Sequence, residues 1–440
     1  MDSVKLGSAT ESPDPAEALM AADRQLDPVL TPPAGMPVPL DAAKVVLLTG
    51  ATGFVGAHLL QELLRQTRAR ILCVARAQNP DEARSRLQDN LARLEVALAP
   101  DDWARIESVP GDLTKPRLGW DAAAYSLWTE EVDVVFHGAA VMNFYQSYAQ
   151  LSPTNVAGLH EILGFAMHGR AKALHFVSSS GVFDSDASWG QVVRESDVPA
   201  HCAGSVTGYT QTKWVCEQLV LQARRRGLPV TMYRPPFIMG HSQSGVVADD
   251  NLVVKMVLGS IQGGWWPIGD SEIEMVPVDA LCRAIVHLAR QPAAANRTFH
   301  LKSPEPMRWS DIGAALRAAG YPVGFIPYLE WKRRLPDFGR RPGNAMRPLV
   351  RFYTKAPPRF SRPVPEIFIR PGRPVFDSTE TQAWLAPAGL VPPRMTAALF
   401  ALYLRYFVRR GWLPRPEEFT APERHGTGSR PPLPTGGIPA

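Results

Sequence analysis

The chain has 440 residues, 45% of them hydrophobic, which is enough to bury a large core and to form more than one domain. A formal net charge of +5 is too small to argue for a nucleic-acid partner, and no run of about eighteen apolar residues is present to span a bilayer. Cys73, Cys202, Cys216 and Cys282 are scattered, without C-x-x-C spacing or a His/Cys cluster, so reduced thiols of a cytoplasmic protein are expected, not a disulfide framework or a zinc site.

Residues 1–40 are proline-rich and contain no aromatic residue, which predicts a disordered tether with a short helix over 16–23 and no secretory signal. The organising stretch follows at 44–60, KVVLLTGATGFVGAHLL. Val45 to Leu48 form an apolar run suited to a strand buried on both faces. Gly50, Gly53 and Gly56 come next, and a helical apolar pattern starts inside their spacing. A strand turning through glycines into a helix gathers backbone N–H groups and a helix N-terminus at one point, which binds a pyrophosphate without a charged side chain. Gly50, Thr52, Gly53, Phe54, Val55 and Gly56 are therefore candidate cofactor residues.

A second strand, Ile71 to Val74, ends in Ala75-Arg76-Ala77. An acidic residue at this place favours NAD, whereas an arginine pairs with a 2′-phosphate, so Arg76 predicts NADP(H). Arg84 and Arg86, on a helix expected over 80–98, offer a second cation. Asp112 and Leu113 follow a third short strand, where they are placed against the adenine. A fourth strand (132–136) leads into His137, Gly138, Ala139 and Ala140, small residues that let the backbone approach a cofactor closely. Asn155 lies in the next helical segment, and His137 is read as a packed strand residue and not a base.

A fifth strand, Leu174 to Val177, runs into Ser178-Ser179-Ser180. Thirty residues on, Tyr209 and Lys213 stand four apart at the start of a helix and so share a face. A free phenol titrates near pH ~10, and an adjacent ammonium favours its phenolate. A serine hydroxyl beside Tyr209 meets the oxygen on which charge develops.

Taken in order, these segments resemble an extended short-chain dehydrogenase/reductase, and more narrowly the thioester reductase domains that end many nonribosomal peptide and polyketide synthetases and the carboxylic acid reductases. The resemblance runs from about Leu26 to Pro416 and includes LLTGATGFVGAHLLQELL, ILCVARAQNPDEARSRL, VDVVFHGAAVMNF, GYTQTKWVCEQLV and YRPPFIMGHSQSG. It implies a Ser179–Tyr209–Lys213 triad, with Ser178 and Ser180 as alternatives for the serine, and Pro235 and Ile238 beside the nicotinamide. Two departures are Pro236, where the family usually has glycine, and Leu159, where it usually has threonine.

Further on, Gln262 to Pro267 is a glycine and tryptophan loop, read as either an acyl-channel lining or core. Asp279 is expected to cap a helix over 280–290. Residues 296–302 are expected to return as a strand to the first domain. Residues 331–415 carry 17 Lys/Arg against 4 Asp/Glu, read either as a docking face for an acidic carrier protein or as a solvated face or non-specific polyanion-binding surface. Residues 395–413 read as an amphipathic helix that packs on the protein in preference to a membrane, and 417–440 as a disordered tail.

The resulting expectation is an α/β protein: a doubly wound parallel Rossmann sheet over 41–236 with an interleaved, smaller C-terminal substrate-binding domain over 237–416. The expected function is NADPH-dependent reduction of an acyl thioester on a carrier protein or coenzyme A, met in trans, to an aldehyde or further to an alcohol, by a monomer. The alternatives are a dehydrogenase of free ketones or alcohols and a non-catalytic NADP(H) sensor.

Overall fold

The computed structural model describes residues 15–200, 207–269, 271–355 and 373–419. Cys202, the first fourteen residues of the expected tether, Arg359, Arg362 and Arg370 of the basic stretch, and 420–440 of the expected tail lie outside them.

Seven parallel strands form the central sheet: β1 (Val45–Thr49), β2 (Arg70–Ala75), β3 (Ile106–Pro110), β4 (Val134–His137), β5 (Ala173–Val177), β6 (Val230–Tyr233) and β7 (Thr298–Phe299). Their spatial order is β7-β6-β5-β4-β1-β2-β3. The order reverses between β1 and β4, which opens a crevice at the carboxyl ends of the strands. The apolar run of β1 is buried throughout because it faces two cores: Val46 and Leu48 enter one, Val45 and Leu47 the other. The first core continues without a break into the C-terminal part, through residues such as Leu281, Ile285 and Trp331. The strand Thr298–Phe299 pairs with Met232 and Tyr233 of β6. Short paired strands frame the C-terminal part, among them Phe237–Met239 with Met275–Pro277 and Trp265–Ile268 with Gly324–Pro327.

The strongest polar joint lies under the end of β6. Arg234 donates from Nε (3.0 Å) and Nη2 (2.7 Å) to the two oxygens of Glu217, and both side chains are essentially closed to solvent. Glu217 also accepts the Ser178 hydroxyl at 2.6 Å, and Arg234 reaches the backbone oxygens of Glu195 and Asp197. The guanidinium lies over the Phe183 ring.

Several local expectations change. Residues 15–40 are a strap and not a free tether: Met20 and Leu26 are buried, Asp23 accepts the Tyr148 hydroxyl, and Arg226 donates to the backbone of Leu26 and Leu30. Two apolar side chains and a few long-range bonds suffice to hold a segment whose composition lacks a core of its own. Asp279 does not cap its helix, Val278–Ala289; its carboxylate accepts from Ser242 N and Ser242 Oγ, both at 2.7 Å, and so grips the GHSQSG loop. Trp266 is fully buried, and Trp265 lies against Arg334, so this loop is packing. The helix Ala397–Arg409 buries Phe400, Tyr403 and Phe407 against the protein. No helix among the described residues is long and apolar enough to cross a membrane.

A buried charge left alone is costly, so Glu217→Leu is expected to lose about 3–5 kcal/mol in urea unfolding. Glu217→Leu combined with Arg234→Met should regain most of that loss. Equal losses in the single and double variants would show that the charge pair is not what holds this joint.

Candidate active site

One cavity of about 2360 Å³ runs from the glycine turn, past the ends of β4 and β5, into the C-terminal part. Its first half is backbone and small side chains, and the glycines there have steric reasons. Gly50 has φ +88, and a Cβ on it would meet Ala139 N at 2.8 Å. A Cβ on Gly56 would sit 1.9 Å from the Gly50 carbonyl oxygen. Gly53 begins the helix Phe54–Gln66, whose first turn holds no acidic residue, so its N–H groups face the cavity unopposed. Thr52, Phe54, Val55, Gly138, Ala139 and Ala140 line the same region. Arg76 is exposed at the end of β2 and lines the cavity with Asp112 and Leu113. Although burial opposes it, Asp112 is held below the usual carboxylate range by bonds from Thr114 and the charges of Lys115 and Arg76. A glycine turn opening a helix without acids in its first turn fits the pyrophosphate of a nicotinamide dinucleotide.

The catalytic candidates meet at the middle of the cavity. Thr207 caps the helix Gly208–Arg225 by accepting from Thr210 N, which places Tyr209 in the first turn. Gly208 is needed because a Cβ there would lie 2.4 Å from the Gln146 carbonyl oxygen. Tyr209 is edge-on to Phe144. Lys213, 4% exposed, donates to the carbonyl oxygen of Val177 at 2.8 Å and lies over the Phe176 ring. Burial pushes the Tyr209 phenol above its ordinary value and lowers the Lys213 ammonium, the latter opposed by Cys216 and Glu217. Burial thus works against the expected tuning toward phenolate.

The three serines separate by their bonds. Ser178 is 2% exposed and its hydroxyl is committed to Glu217. Ser180 N donates to Pro235 O, closing β5 against the end of β6. Ser179 is half-buried and lines the cavity; its hydroxyl oxygen accepts from Gly181 N, which leaves its own proton to give. Pro235, Pro236 and Ile238 line the opposite wall.

Not every candidate reaches the cavity. Asn155 is 3% exposed and does not line it; its side chain bonds Val141 N and O and so holds the loop after β4 in shape. Arg86 lies near Glu82 at 3.8 Å, outside the lining, while Arg93 on the same helix, Pro80–Arg93, lines it. Sequence reasoning misses Arg93 because nothing local separates it from Arg84 and Arg86 on the same helix. Asn90, one turn before it, donates to the carbonyls of Ala51 and Gly53 and braces the glycine turn. His137 bonds Thr49 Oγ1 at 2.8 Å, and burial lowers it to about 3, so it is a packed residue and no base. Burial likewise pushes the Cys73 and Cys216 thiols up to about 12, which removes them as nucleophiles. Among the described residues no His/Cys/Asp/Glu group is arranged to hold a metal.

Residues 48–285 match the model of an NAD-binding family described as male sterility protein. A linear gramicidin synthase protein of Brevibacillus parabrevis is 35% identical over 400 residues, which cover 88% of this chain and 8% of that protein. The large chain of L-2-aminoadipate reductase from Penicillium chrysogenum is 30% identical over 399 residues, covering 86% of this chain and 28% of that protein. The chain therefore spans only a minor part of the length of these relatives. Among solved structures, the terminal R domain from the myxalamid PKS-NRPS biosynthetic pathway matches at 33% identity and a TM-score of 0.82, over 91% of this chain and 99% of that one. The reductase (R) domain of a nonribosomal peptide synthetase from Mycobacterium tuberculosis shares the fold, with 24% identity and a TM-score of 0.70, over 90% of this chain and 96% of that one. With over half its length under the family model and almost all of a solved R domain matched, the chain belongs to the male sterility family of nicotinamide-dependent oxidoreductases, on the side of its terminal reductase domains.

Proposed function

We propose that this protein reduces an acyl thioester, carried on a phosphopantetheine arm or coenzyme A, to an aldehyde with NADPH. The carrying observation is that Ser179, Tyr209 and Lys213 line the middle of one cavity large enough for two extended ligands. Ordinary small-molecule sites occupy roughly 300–1000 Å³. The glycine turn and Arg76 take one end; the other, walled by Ile268, Pro304, Pro327, Leu329 and Phe376, leaves room for an acyl chain and its thiol arm.

When bound, NADPH supplies hydride to the thioester carbonyl carbon. Ser179 holds the carbonyl oxygen through its hydroxyl proton, and Tyr209 gives its proton to that oxygen as charge develops. Lys213, fixed on Val177 O, would hold the nicotinamide ribose. The resulting hemithioacetal loses its thiol to give the aldehyde.

The 2′-phosphate preference rests on Arg76, since no acidic side chain stands at the end of β2. Docking of a carrier protein is assigned to the basic stretch of the C-terminal part, where Arg333, Arg347 and Arg351 are exposed. Arg334, Arg340, Arg394 and Arg409 of the same stretch are already in ion pairs, so the free charge is smaller than the sequence count.

Tyr209→Phe removes the proton donor and keeps the ring. It is expected to cut turnover of acyl-pantetheine, acyl-coenzyme A and acyl-carrier thioesters by about 10²–10⁴-fold, read as loss of reduced-nicotinamide absorbance together with aldehyde release. Turnover of free ketones but of no thioester by the unaltered protein would overturn the substrate reading; tight cofactor binding with no turnover at all would point to a sensor. Arg76→Ala should raise the KM for NADPH about 10- to 100-fold and leave that for NADH nearly unchanged, which steady-state kinetics with both cofactors checks.

A further inference from the structure

Hemithioacetal collapse needs two proton movements: the hydroxyl proton must leave oxygen, and the departing sulfur must gain one. Tyr209 accounts for the first, because the phenolate left after the hydride step takes that proton back. The second needs another donor near Ser179. Lys213 is turned to Val177 O, and the buried thiols are inert. Of the carboxyls lining the cavity, Asp112 is at the Arg76 end, Asp249, Asp250 and Glu272 are exposed to solvent, Glu274 is paired with Lys302, and Asp377 is kept below its ordinary range by the Thr379 hydroxyl and N–H.

Asp184 remains, five residues after Ser179 in the same turn. A side chain at Gly181 would stand 3.3 Å from both Asp184 Oδ2 and Ser179 Oγ, so those oxygens are at most twice that distance apart. Both line the cavity. A carbonyl oxygen held by Ser179 has its thioester sulfur two bonds away, within reach of the carboxyl. The turn is fixed from behind, where Phe183 lies under the Arg234 guanidinium.

We propose that Asp184 is a second catalytic acid, which protonates the departing thiolate. This rests on the thioester reading above. As the C–S bond breaks, its electron pair goes to sulfur, which takes the Asp184 proton; the oxygen lone pair forms the aldehyde C=O, and the hydroxyl proton passes to the Tyr209 phenolate. Solvent then reprotonates Asp184. The sum is one hydride from NADPH and one proton from water for each thioester converted to aldehyde and thiol.

The environment supports the role. The Asp184 side chain is 13% exposed, and burial raises its carboxyl to about 6, against the lowering charge and bond of Arg373, 3.7 Å from Oδ1; Glu274 adds to the rise. Lys302, which faces the same wall, is engaged by Glu274. A protonated fraction is therefore present near neutrality.

The test compares the protein with Asp184→Asn on two thioesters of one acyl group, one of pantetheine and one of an aryl thiol whose anion leaves without a proton. In single turnovers, thiol release from the pantetheine ester is expected to slow about 100-fold in the variant, while the aryl ester is barely affected. In the unaltered protein the pantetheine rate should be full at low pH and fall as pH rises through about 6; the variant loses that limb. Infrared titration of the cofactor-free protein should show a carboxylic acid band that disappears near the same pH and is missing in the variant. Equal slowing on both esters, no slowing on either, or an Asp184 band titrating at an ordinary ~4 would overturn the proposal. Failure of the unaltered protein to reduce either ester would instead overturn the thioester reading itself.

Discussion

The Glu217–Arg234 pair is the constraint on which the catalytic geometry depends. Two charges removed from water are tolerable only when their remaining hydrogen-bonding positions are filled. Here Glu217 takes two bonds from Arg234 and one from Ser178, and Arg234 reaches the carbonyls of Glu195 and Asp197. Glu217 is one helical turn beyond Lys213 and two beyond Tyr209. Ser178 precedes Ser179, and Arg234 precedes the two prolines of the opposite wall. A single buried ion pair thus ties together the helix that carries the tyrosine and lysine, the strand end that carries the serine, and the wall beside the nicotinamide. A shift of the helix against the wall would break the ion pair, and a shift of the strand end would cost Glu217 its third bond.

The network extends further than the pair. His300 N donates to Thr381 Oγ1, which itself donates to Glu195, and His300 Nδ1 meets the Asp377 carbonyl. The strand pair Val192–Val193 with Val375–Phe376 and a small core of Val182, Phe183, Val193 and Phe376 complete this corner. The turn that bears Ser179 and Asp184 is therefore held between a buried ion pair on one side and a compact polar and apolar corner on the other. Preorganisation of this kind places donors where charge develops, so little rearrangement is needed during reaction.

What is legible in the sequence is local. The glycine spacing is dictated by contacts within a few residues, such as Gly56 against the Gly50 carbonyl, so it shows in the sequence as a motif. The pairing of Tyr209 with Lys213 follows from helical periodicity, and the order of the strands from their apolar runs. What is not legible depends on partners far along the chain. Asp279 has the position of a helix cap, yet its carboxylate is taken by Ser242, 37 residues away. The strap at 15–40 is secured by Tyr148 and Arg226, which no local composition reveals. Position alone assigns Asn155 to the cofactor, but its side chain serves the backbone of Val141. The choice among Ser178, Ser179 and Ser180 is open for the same reason: three adjacent hydroxyls differ only in what the fold brings to them, and Glu217 brings its carboxylate to the first.

Burial acts in one direction across the reacting centre, and that direction bears on which way the chemistry runs. It raises the phenol of Tyr209 and the carboxyl of Asp184, and it lowers the ammonium of Lys213. Desolvation favours the neutral form of each of these groups, which keeps the phenol protonated and a fraction of the carboxyl with it. An enzyme that removes a proton from an alcohol needs its tyrosine charged, and these surroundings work against that. An enzyme that adds hydride to a carbonyl needs protons to give, to oxygen first and then to sulfur, and the burial of Tyr209 and Asp184 serves that need. The same exclusion of water that holds the protons in place also strengthens each bond made to a developing oxyanion. Reduction and proton supply therefore draw on one physical feature of the site, the burial of its acid side chains.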